Sequence, residues 1–414
     1  MTSTADWETL DLHKTHPISM SPTLTIQPEA PSLREGVCEW RALLEEPHSE
    51  RRALWFRTDE TGRPHMPSSA EAFVIACLFY AMRKGLNLRV RGPVCSMLIR
   101  NLYEYQIAWN RWRPDRYRIV DIAADGNAPP PAGPVRPSAL SAFSGGLDSC
   151  FTVWRHTRMA PPAARLPLET GLMAHGLDIP VNDTGVFARA VEKSRRILNS
   201  AGIPLLTVAT NVRMFDQDWD DAHSAGVAAC LHAMGARHGL GIIPGTHTYR
   251  ALRIPFGSNP VTDPLFSSAR MDIVYEGAGF SREDKADAVA PWPDAMRHMR
   301  VCWEGAHLDR NCGACPKCVA LGISFAVGGH PMPESMPIPD LAAAIRGVMN
   351  TPLQPAGLQR LDERLALAAE RGITAPWVAA AKEWRRRSLP ENRAPAPRGR
   401  RWISAVRKKL RPVG

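Results

Sequence analysis

The chain has 414 residues, of which 44% are hydrophobic and 22% charged, and a formal net charge of +10 at pH 7. This length suits two or three domains, and the composition is typical of a globular protein rather than a disordered or fibrous one. The first twenty residues lack the apolar core of a signal peptide, and no apolar run reaches the length of about 18 residues that a membrane span needs. The sequence therefore predicts a cytoplasmic protein without a membrane span.

The net charge is concentrated at the C-terminal end. Residues 382–414 hold twelve basic and two acidic side chains, so the rest of the chain is neutral. The richness of this segment in Arg and Pro predicts a solvated basic tail. Its charge leaves open a role in binding nucleic acid, or acidic lipid through Trp402, Ile403 and Val406.

The N-terminal part predicts a disordered lead over residues 1–31 and a mixed or helical domain over 32–124, whose role no motif indicates. Within that domain, an apolar run from Ser69 to Gly85 predicts a buried helix. Helical spacing over 95–109 predicts a second helix. The five prolines of 125–138 then predict a linker.

From Ala139 onward, short apolar runs alternate with longer helical patterns. The predicted strands are 139–143, 171–176, 204–209, 240–244 and 271–275, and the predicted helices are 150–156, 186–200 and 222–238. Ser281 opens a further helix with the spacing of a capping box. This alternation is typical of the α/β class, with a parallel sheet covered by helices on both faces. A helical segment is predicted over 329–381.

A glycine-rich turn follows the first of these strands. It consists of Ser144, Gly145, Gly146, Leu147, Asp148 and Ser149. Paired glycines let several backbone N–H groups converge, and the next helix adds its N-terminal partial charge, so the turn suits a phosphate group. Asp148 could hold the turn or meet a magnesium ion bound to the phosphates. The chain has no Walker sequence, and Gly239–Gly245 departs from the dinucleotide-binding spacing.

Four cysteines lie close together between residues 302 and 318. Cys302, Cys312, Cys315 and Cys318 have the spacing C-x9-C-x2-C-x2-C. Four thiolates can close a tetrahedral shell around zinc with no open position, which predicts a structural metal site. An iron–sulfur cluster is the alternative.

The sequence Ser-Gly-Gly-Leu-Asp-Ser, between a strand and a helix, resembles the pyrophosphate-binding loop of the N-type ATP pyrophosphatases, the PP-loop superfamily of the HUP fold type. The cysteine cluster, followed by a helix over 319–326, narrows the resemblance to 7-cyano-7-deazaguanine synthases. The resemblance covers 139–328, with extra segments on both sides. It departs from the family after the second strand, where the chain reads His-Gly-Leu-Asp-Ile-Pro.

The resemblance implies ATP-dependent adenylation of a carboxylate or carbonyl oxygen of a small-molecule substrate. Pyrophosphate would leave into the glycine turn, and ammonia or an amine would then displace AMP. The implied cofactors are ATP, Mg²⁺ and a structural Zn²⁺, with Asp148 and Ser149 as catalytic residues. Backbone groups at 174–176 and 208–210 would hold adenine.

The carboxyl ends of the other parallel strands supply further candidates for the site. These are His175, Asp178, Thr210, Gly245, Thr246 and His247, of which His175, Thr210 and Gly245 are assigned to nucleotide binding. Arg250 and Arg253, in the long irregular segment that follows, could meet a phosphate or a substrate carboxylate.

Two other functions stay open. A tRNA-modifying enzyme of the thiolase type would use free cysteines, for which Cys150 and Cys230 remain. An ATP-sensing module would bind the nucleotide without cleaving it. The sequence does not settle the nitrogen donor or the oligomeric state, a homodimer being one option.

Overall fold

The computed structural model describes residues 22–128, 137–215, 217–302 and 304–392. The strands are β1 (Thr23–Pro28), β2 (Ser32–Arg34), β3 (Val37–Glu45), β4 (Arg52–Asp59), β5 (Asn87–Val94), β6 (Ile122–Asn127), β7 (Ala139–Ala142), β8 (Leu168–His175), β9 (Leu205–Thr210), β10 (Leu240–Pro244) and β11 (Asp272–Glu276). The helices are α1 (Glu71–Lys84), α2 (Ser96–Trp112), α3 (Leu147–Trp154), α4 (Thr184–Ser200), α5 (Trp219–Ala233), α6 (Arg282–Val289), α7 (Pro293–His298), α8 (Pro316–Val327), α9 (Leu341–Val348), α10 (Pro355–Glu370) and α11 (Pro376–Ser388).

Five parallel strands form the part of the sheet that follows the glycine-rich sequence. Their spatial order is β11-β10-β7-β8-β9. Leu172 and Met173, which are adjacent in β8, belong to different hydrophobic cores. Leu172 packs in the core that contains α5, and Met173 packs in the core beside α4. Helices therefore cover both faces of the sheet. The predicted α/β class is confirmed. The predicted capping box is also present, with Ser281 as the N-cap residue of α6.

The sheet continues beyond these five strands, which the sequence did not predict. β4 pairs antiparallel with β9, and the order then runs β4-β3-β1-β5-β6, with β2 beside β3. Asn211 extends the β4–β9 pairing, because its side chain accepts a hydrogen bond from the Trp55 amide at 2.9 Å and donates one to the Ala53 carbonyl at 2.8 Å. The whole sheet is therefore mixed rather than parallel.

The N-terminal and parallel parts also share one hydrophobic core. Nearly every side chain of α1 is buried, and this helix packs against α5. The same core includes Leu24 of β1, Leu140 of β7 and Ile273 of β11. The structure thus differs from the predicted division at 125–138, because a helix apolar on all sides needs neighbours from both parts to cover it.

The predicted outer boundaries differ as well. β1 begins at Thr23, inside the predicted lead, because alternating Leu24 and Ile26 fit a half-covered strand. β6 extends into the predicted linker, whose residues 129–136 lie outside the described ones. α11 runs into the predicted tail and buries Trp384 there; residues 393–414 are also outside the described part.

The C-terminal segment is helical, as its sequence predicts. Helices α9, α10 and α11 pack with α8 around a separate small core. Within the described residues, no helix combines the length and the apolar character that crossing a bilayer requires.

Candidate functional site

The glycine turn lies between strand β7 and helix α3, as its sequence predicts. Gly145 adopts φ +74°, a left-handed conformation that favours glycine. Gly146 is the extended N-cap residue of α3, and its N–H donates to the Ser144 hydroxyl at 3.3 Å. Leu147 begins the helix and is buried. The turn therefore places the N-terminus of α3 at the carboxyl end of β7.

The position of the turn in the sheet favours a ligand site. Chain order reverses at the neighbours β7 and β10, since β8 and β9 extend from one side of β7 and β11 lies beyond β10. In open α/β sheets, ligands bind in the crevice at this reversal point. The segment after β10, Gly245 to His247, faces the glycine turn there, and the Thr246 hydroxyl donates to Asp148 Oδ2 at 3.1 Å.

A buried lysine joins these two segments. Lys285 of α6 is almost fully buried, and its Nζ lies 2.9 Å from Asp148 Oδ1 while also donating to the Gly245 carbonyl. Arg282, one turn earlier on α6, lies 3.5 Å from Asp148 Oδ2. Burial alone would raise the pKa of Asp148, but these two cations outweigh it and hold the pKa below its ordinary value. Asp148 is thus an ionised anchor between α3, α6 and the segment after β10.

Ser149 occupies a different position from its neighbours in the turn. The residue is buried, and its hydroxyl donates to the Gly146 carbonyl at 3.0 Å. This bond stabilises the first turn of α3, and a direct role in chemistry stays a prediction.

The other predicted nucleotide-binding residues lie at the carboxyl ends of β8 and β9 and directly after β10. His175 is buried, stacks on Phe187 at 4.2 Å between ring centroids, and contacts the Pro180 carbonyl through Nε2 at 2.9 Å. Burial lowers the pKa of His175, so the neutral imidazole holds the turn after β8. Thr210 is fully buried, and its hydroxyl accepts a hydrogen bond from the Val212 amide.

Gly176 supports a close approach between the ends of β8 and β9. Its φ is +95°, and a Cβ added there would lie 1.9 Å from the Thr210 carbonyl oxygen. Gly245 is similarly confined, because an added Cβ would lie 2.2 Å from the Tyr275 ring. The two turns leave no room for side chains, so only backbone groups of these glycines can line the site.

We expect Gly176→Ala to destabilise the protein by about 2–3 kcal/mol, because the Cβ forces the two strand ends apart. Gly202→Ala is the matched control: Gly202 also has a positive φ, of +74°, but an added Cβ would meet nothing within 4 Å. Chemical denaturation of both variants measures the difference. Equal losses for the two would show that the approach to Thr210 contributes nothing.

The predicted cysteine cluster is confirmed as a group of side chains that could bind a metal such as zinc. The four sulfur atoms of Cys302, Cys312, Cys315 and Cys318 lie within 4.8 Å of one another. Three of the sulfur pairs are separated by 3.5, 3.8 and 3.8 Å. Thiolates about 2.3 Å from a tetrahedral zinc ion lie about 3.8 Å apart, whereas a disulfide needs about 2.05 Å. The donor set and its spacing therefore fit a closed four-thiolate site.

The cysteine cluster is physically connected to the glycine turn. The Arg300 amide donates to the Gly145 carbonyl at 2.8 Å, and its buried guanidinium contacts the Ser144 carbonyl at 3.4 Å. Two residues later, the Cys302 amide donates to the side chain of Asn311, which also accepts from Val301. One short segment thus links the cysteine cluster to the glycine turn.

Further cations act on His247 and Asp148. His247 is buried, and its pKa is lowered to about 4, first by burial and then by Arg360 and Arg253, with a further contribution from Arg282. Lys317 of α8, whose pKa burial lowers to about 8, also lies within electrostatic reach of Asp148. The site is therefore strongly cationic, as binding of polyanions requires.

Several of these residues were missed by the sequence analysis. Lys285, Arg282, Arg300 and Arg360 belong to no motif and lie far along the chain from Asp148. The capping box at Ser281 indicated α6 but not which of its side chains face the turn. Thr246, His247 and Arg253 were candidates, and all three lie in the segment that follows β10. Comparison with protein-family models, with curated proteins and with solved structures finds no match to the chain.

Proposed function

We propose that the protein is an ATP pyrophosphatase of the PP-loop type, which adenylates an oxygen of a small molecule and releases pyrophosphate. The observation that carries the proposal is the glycine turn at the reversal point of the parallel strands, with Asp148 held by Lys285 and Arg282. Backbone N–H groups at a helix N-terminus, together with these cations, suit a triphosphate.

In this proposal a carboxylate or carbonyl oxygen of the substrate attacks the α-phosphorus, and the bond to the β-phosphate oxygen breaks. The turn at Gly145 and Gly146 holds the leaving pyrophosphate. Lys285 and Arg282 stabilise the charge that develops there. Ammonia or an amine then attacks the activated carbon, and AMP leaves with the substrate oxygen.

The proposal assigns adenine to the backbone after β8 and β9, around Gly176 and Thr210. The lack of space for a Cβ at Gly176 supports a role for main-chain groups rather than side chains. His175 shapes this turn from within the core.

The donor sets fit the two proposed metal ions differently. A magnesium ion bound to ATP needs one or two carboxylates besides phosphate oxygens, and Asp148 is the acidic side chain beside the turn. The magnesium ion would offset part of the negative charge of the phosphates. The four cysteines would hold zinc in a structural role, since they leave no open position for a substrate.

A thiolase-type activity fits the structure less well. Cys150 and Cys230 are both buried within helices, and burial raises the pKa of each thiol. Reactive cysteines are usually accessible and have lowered pKa values. The structure therefore favours amide- or nitrile-type bond formation with a nitrogen donor, of which the 7-cyano-7-deazaguanine synthase reaction is the nearest example.

The test is incubation of the purified protein with Mg-ATP and a small-molecule cell extract in water enriched in ¹⁸O, followed by mass spectrometry. We expect AMP and pyrophosphate without ¹⁸O, because the oxygen comes from the substrate, together with one new product mass. Asp148→Asn should slow AMP formation by about 100-fold.

Three other results would contradict the proposal in different ways. ADP and phosphate would indicate phosphoryl transfer. AMP or pyrophosphate that carries ¹⁸O would indicate simple hydrolysis. If ATP binds but is never cleaved in any extract, the protein would be an ATP-sensing module rather than an enzyme.

A further inference from the structure

The C-terminal segment is anchored beside the candidate site by a buried ion pair. Arg364 of α10 lies 2.7 Å from Glu283 of α6, and both side chains are largely buried. Ser324 of α8 donates to the same carboxylate at 2.8 Å. Glu283 directly follows Arg282, which contacts Asp148. The position of α10 relative to the site is therefore fixed.

Arg360 lies one turn before Arg364 on the same side of α10. It is exposed, and among the residues that the structure describes it forms no ion pair within 4 Å. Arg253, in the segment after β10, is also exposed and unpaired in the described part of the chain. Its guanidinium lies 5.9 Å from the centroid of the Phe256 ring.

His247 lies near Arg253, because the Phe256 ring is close to both side chains. Arg360 acts on His247 electrostatically. His247 is only 7% exposed, and the Phe256 ring packs edge-on against it at 4.7 Å. The Tyr275 hydroxyl accepts from its backbone N–H and donates to its carbonyl, but in the described regions neither ring nitrogen forms a hydrogen bond. The ring is therefore held by packing and by its backbone, and its nitrogens stay open to a ligand.

The charges that act on His247 come from four elements. Arg253 after β10, Arg282 of α6 and Arg360 of α10 disfavour its protonated form, and Asp148 of α3 favours it. Tyr275 of β11 completes its surroundings as a neutral phenol, because burial raises the pKa of that hydroxyl. The three guanidinium groups repel one another, and the single carboxylate offsets only part of this repulsion. A bound anion relieves the rest.

We infer that Arg253, Arg282, Arg360 and His247 form an oxyanion-binding subsite, to which the C-terminal segment contributes Arg360. The ligand is a phosphate or carboxylate group. It belongs either to the triphosphate or to an anionic co-substrate, and in both cases the inference deepens the proposed function at the same site.

The test is NMR titration of ¹⁵N-histidine-labelled full-length protein, with the His247 signals assigned from their loss in His247→Gln. Three probes are added separately: inorganic pyrophosphate, Mg-ATP and succinate. We expect at least one of them to raise the pKa of His247 by about one unit, because an anion offsets the nearby cations. A response to pyrophosphate or ATP assigns the subsite to the triphosphate, and a response to succinate alone assigns it to a carboxylate substrate.

Two arginine variants separate a specific subsite from a general effect of charge. Arg360→Ala should raise the pKa of His247 in the ligand-free protein and weaken its response to the anion. Arg346→Ala of α9 removes the same charge from an exposed position elsewhere in the segment and should change neither. The inference is wrong if no probe moves the pKa of His247, or if the two variants behave alike.

ATP cleavage, measured on the same protein preparation with Mg-ATP and the small-molecule cell extract, keeps this inference separate from the proposed function. Cleavage of ATP with an unresponsive His247 would overturn the subsite alone. A responsive His247 without cleavage would overturn the proposed function and leave the anion subsite.

Discussion

Replacing Lys285 with methionine is expected to lower the free energy of unfolding by about 3 kcal/mol, because it leaves Asp148 without its closest cation. Asp148 is only partly accessible to water, and Lys285 is almost completely enclosed. The loss should fall at the low end of the range for broken buried ion pairs, since Arg282 remains 3.5 Å from the carboxylate. Urea denaturation measures the change.

A double-mutant cycle tests whether the ion pair itself causes the loss. Asp148→Asn should also destabilise the protein, because Lys285 is then buried without a counter-charge. The variant with both substitutions should be more stable than the sum of the single losses predicts, since it buries neither charge alone. Additive losses would show that the two side chains act independently.

The acid dependence of stability gives a second readout of the same pair. The folded-state pKa of Asp148 is lowered, so its contribution to stability is present above the ordinary carboxyl pKa and is lost as the pH falls through the folded-state value. Lys285→Met should reduce this contribution and flatten the stability profile below about pH 4. An unchanged profile would show that Lys285 does not set the ionisation of Asp148.

The cycle also separates stability from function. If the proposed function holds, the double variant should recover stability and still fail to cleave ATP, since both charges of the pair beside the glycine turn are missing. Recovery of cleavage in the double variant would mean that the pair serves only the fold.

The parts of this site that the sequence revealed are those encoded by short-range spacing. The glycine turn occupies six adjacent residues, and the four cysteines lie within one short segment, so their types and spacing carry the signal. The strands and helices after Ala139 were equally visible, because each buries a regular apolar face.

The parts that stayed hidden depend on contacts between distant segments. Lys285 looks like any helical lysine until folding places it beside Asp148. The pairing of β4 with β9 joins Phe56 to Thr210, and no local pattern specifies that edge. The run that forms α1 was predicted to be buried, but its partner α5 could not be identified from periodicity alone. Arg360 was hidden for the same reason.

Loss of one cysteine ligand should disturb the glycine turn as well as the metal content. We expect the purified protein to hold about one zinc ion per chain. Cys302→Ala should lose that ion, because three thiolates no longer close the tetrahedral shell. Arg300, two residues away, should then release Gly145 and Ser144, to which it is bound. Elemental analysis gives the zinc content, and hydrogen exchange measured by mass spectrometry should show faster exchange across residues 143–149.

Cys230→Ala is the matched control, since it removes an equally buried cysteine from α5, far along the chain from the cluster. It should lose some stability, as any small cavity costs, but keep its zinc and the slow exchange of the turn. Iron and sulfide in place of zinc would favour the iron–sulfur alternative. A turn that exchanges at the same rate with and without the metal would mean that the cysteine cluster stabilises only its own segment, and that the glycine turn is held by α3 and Lys285 alone.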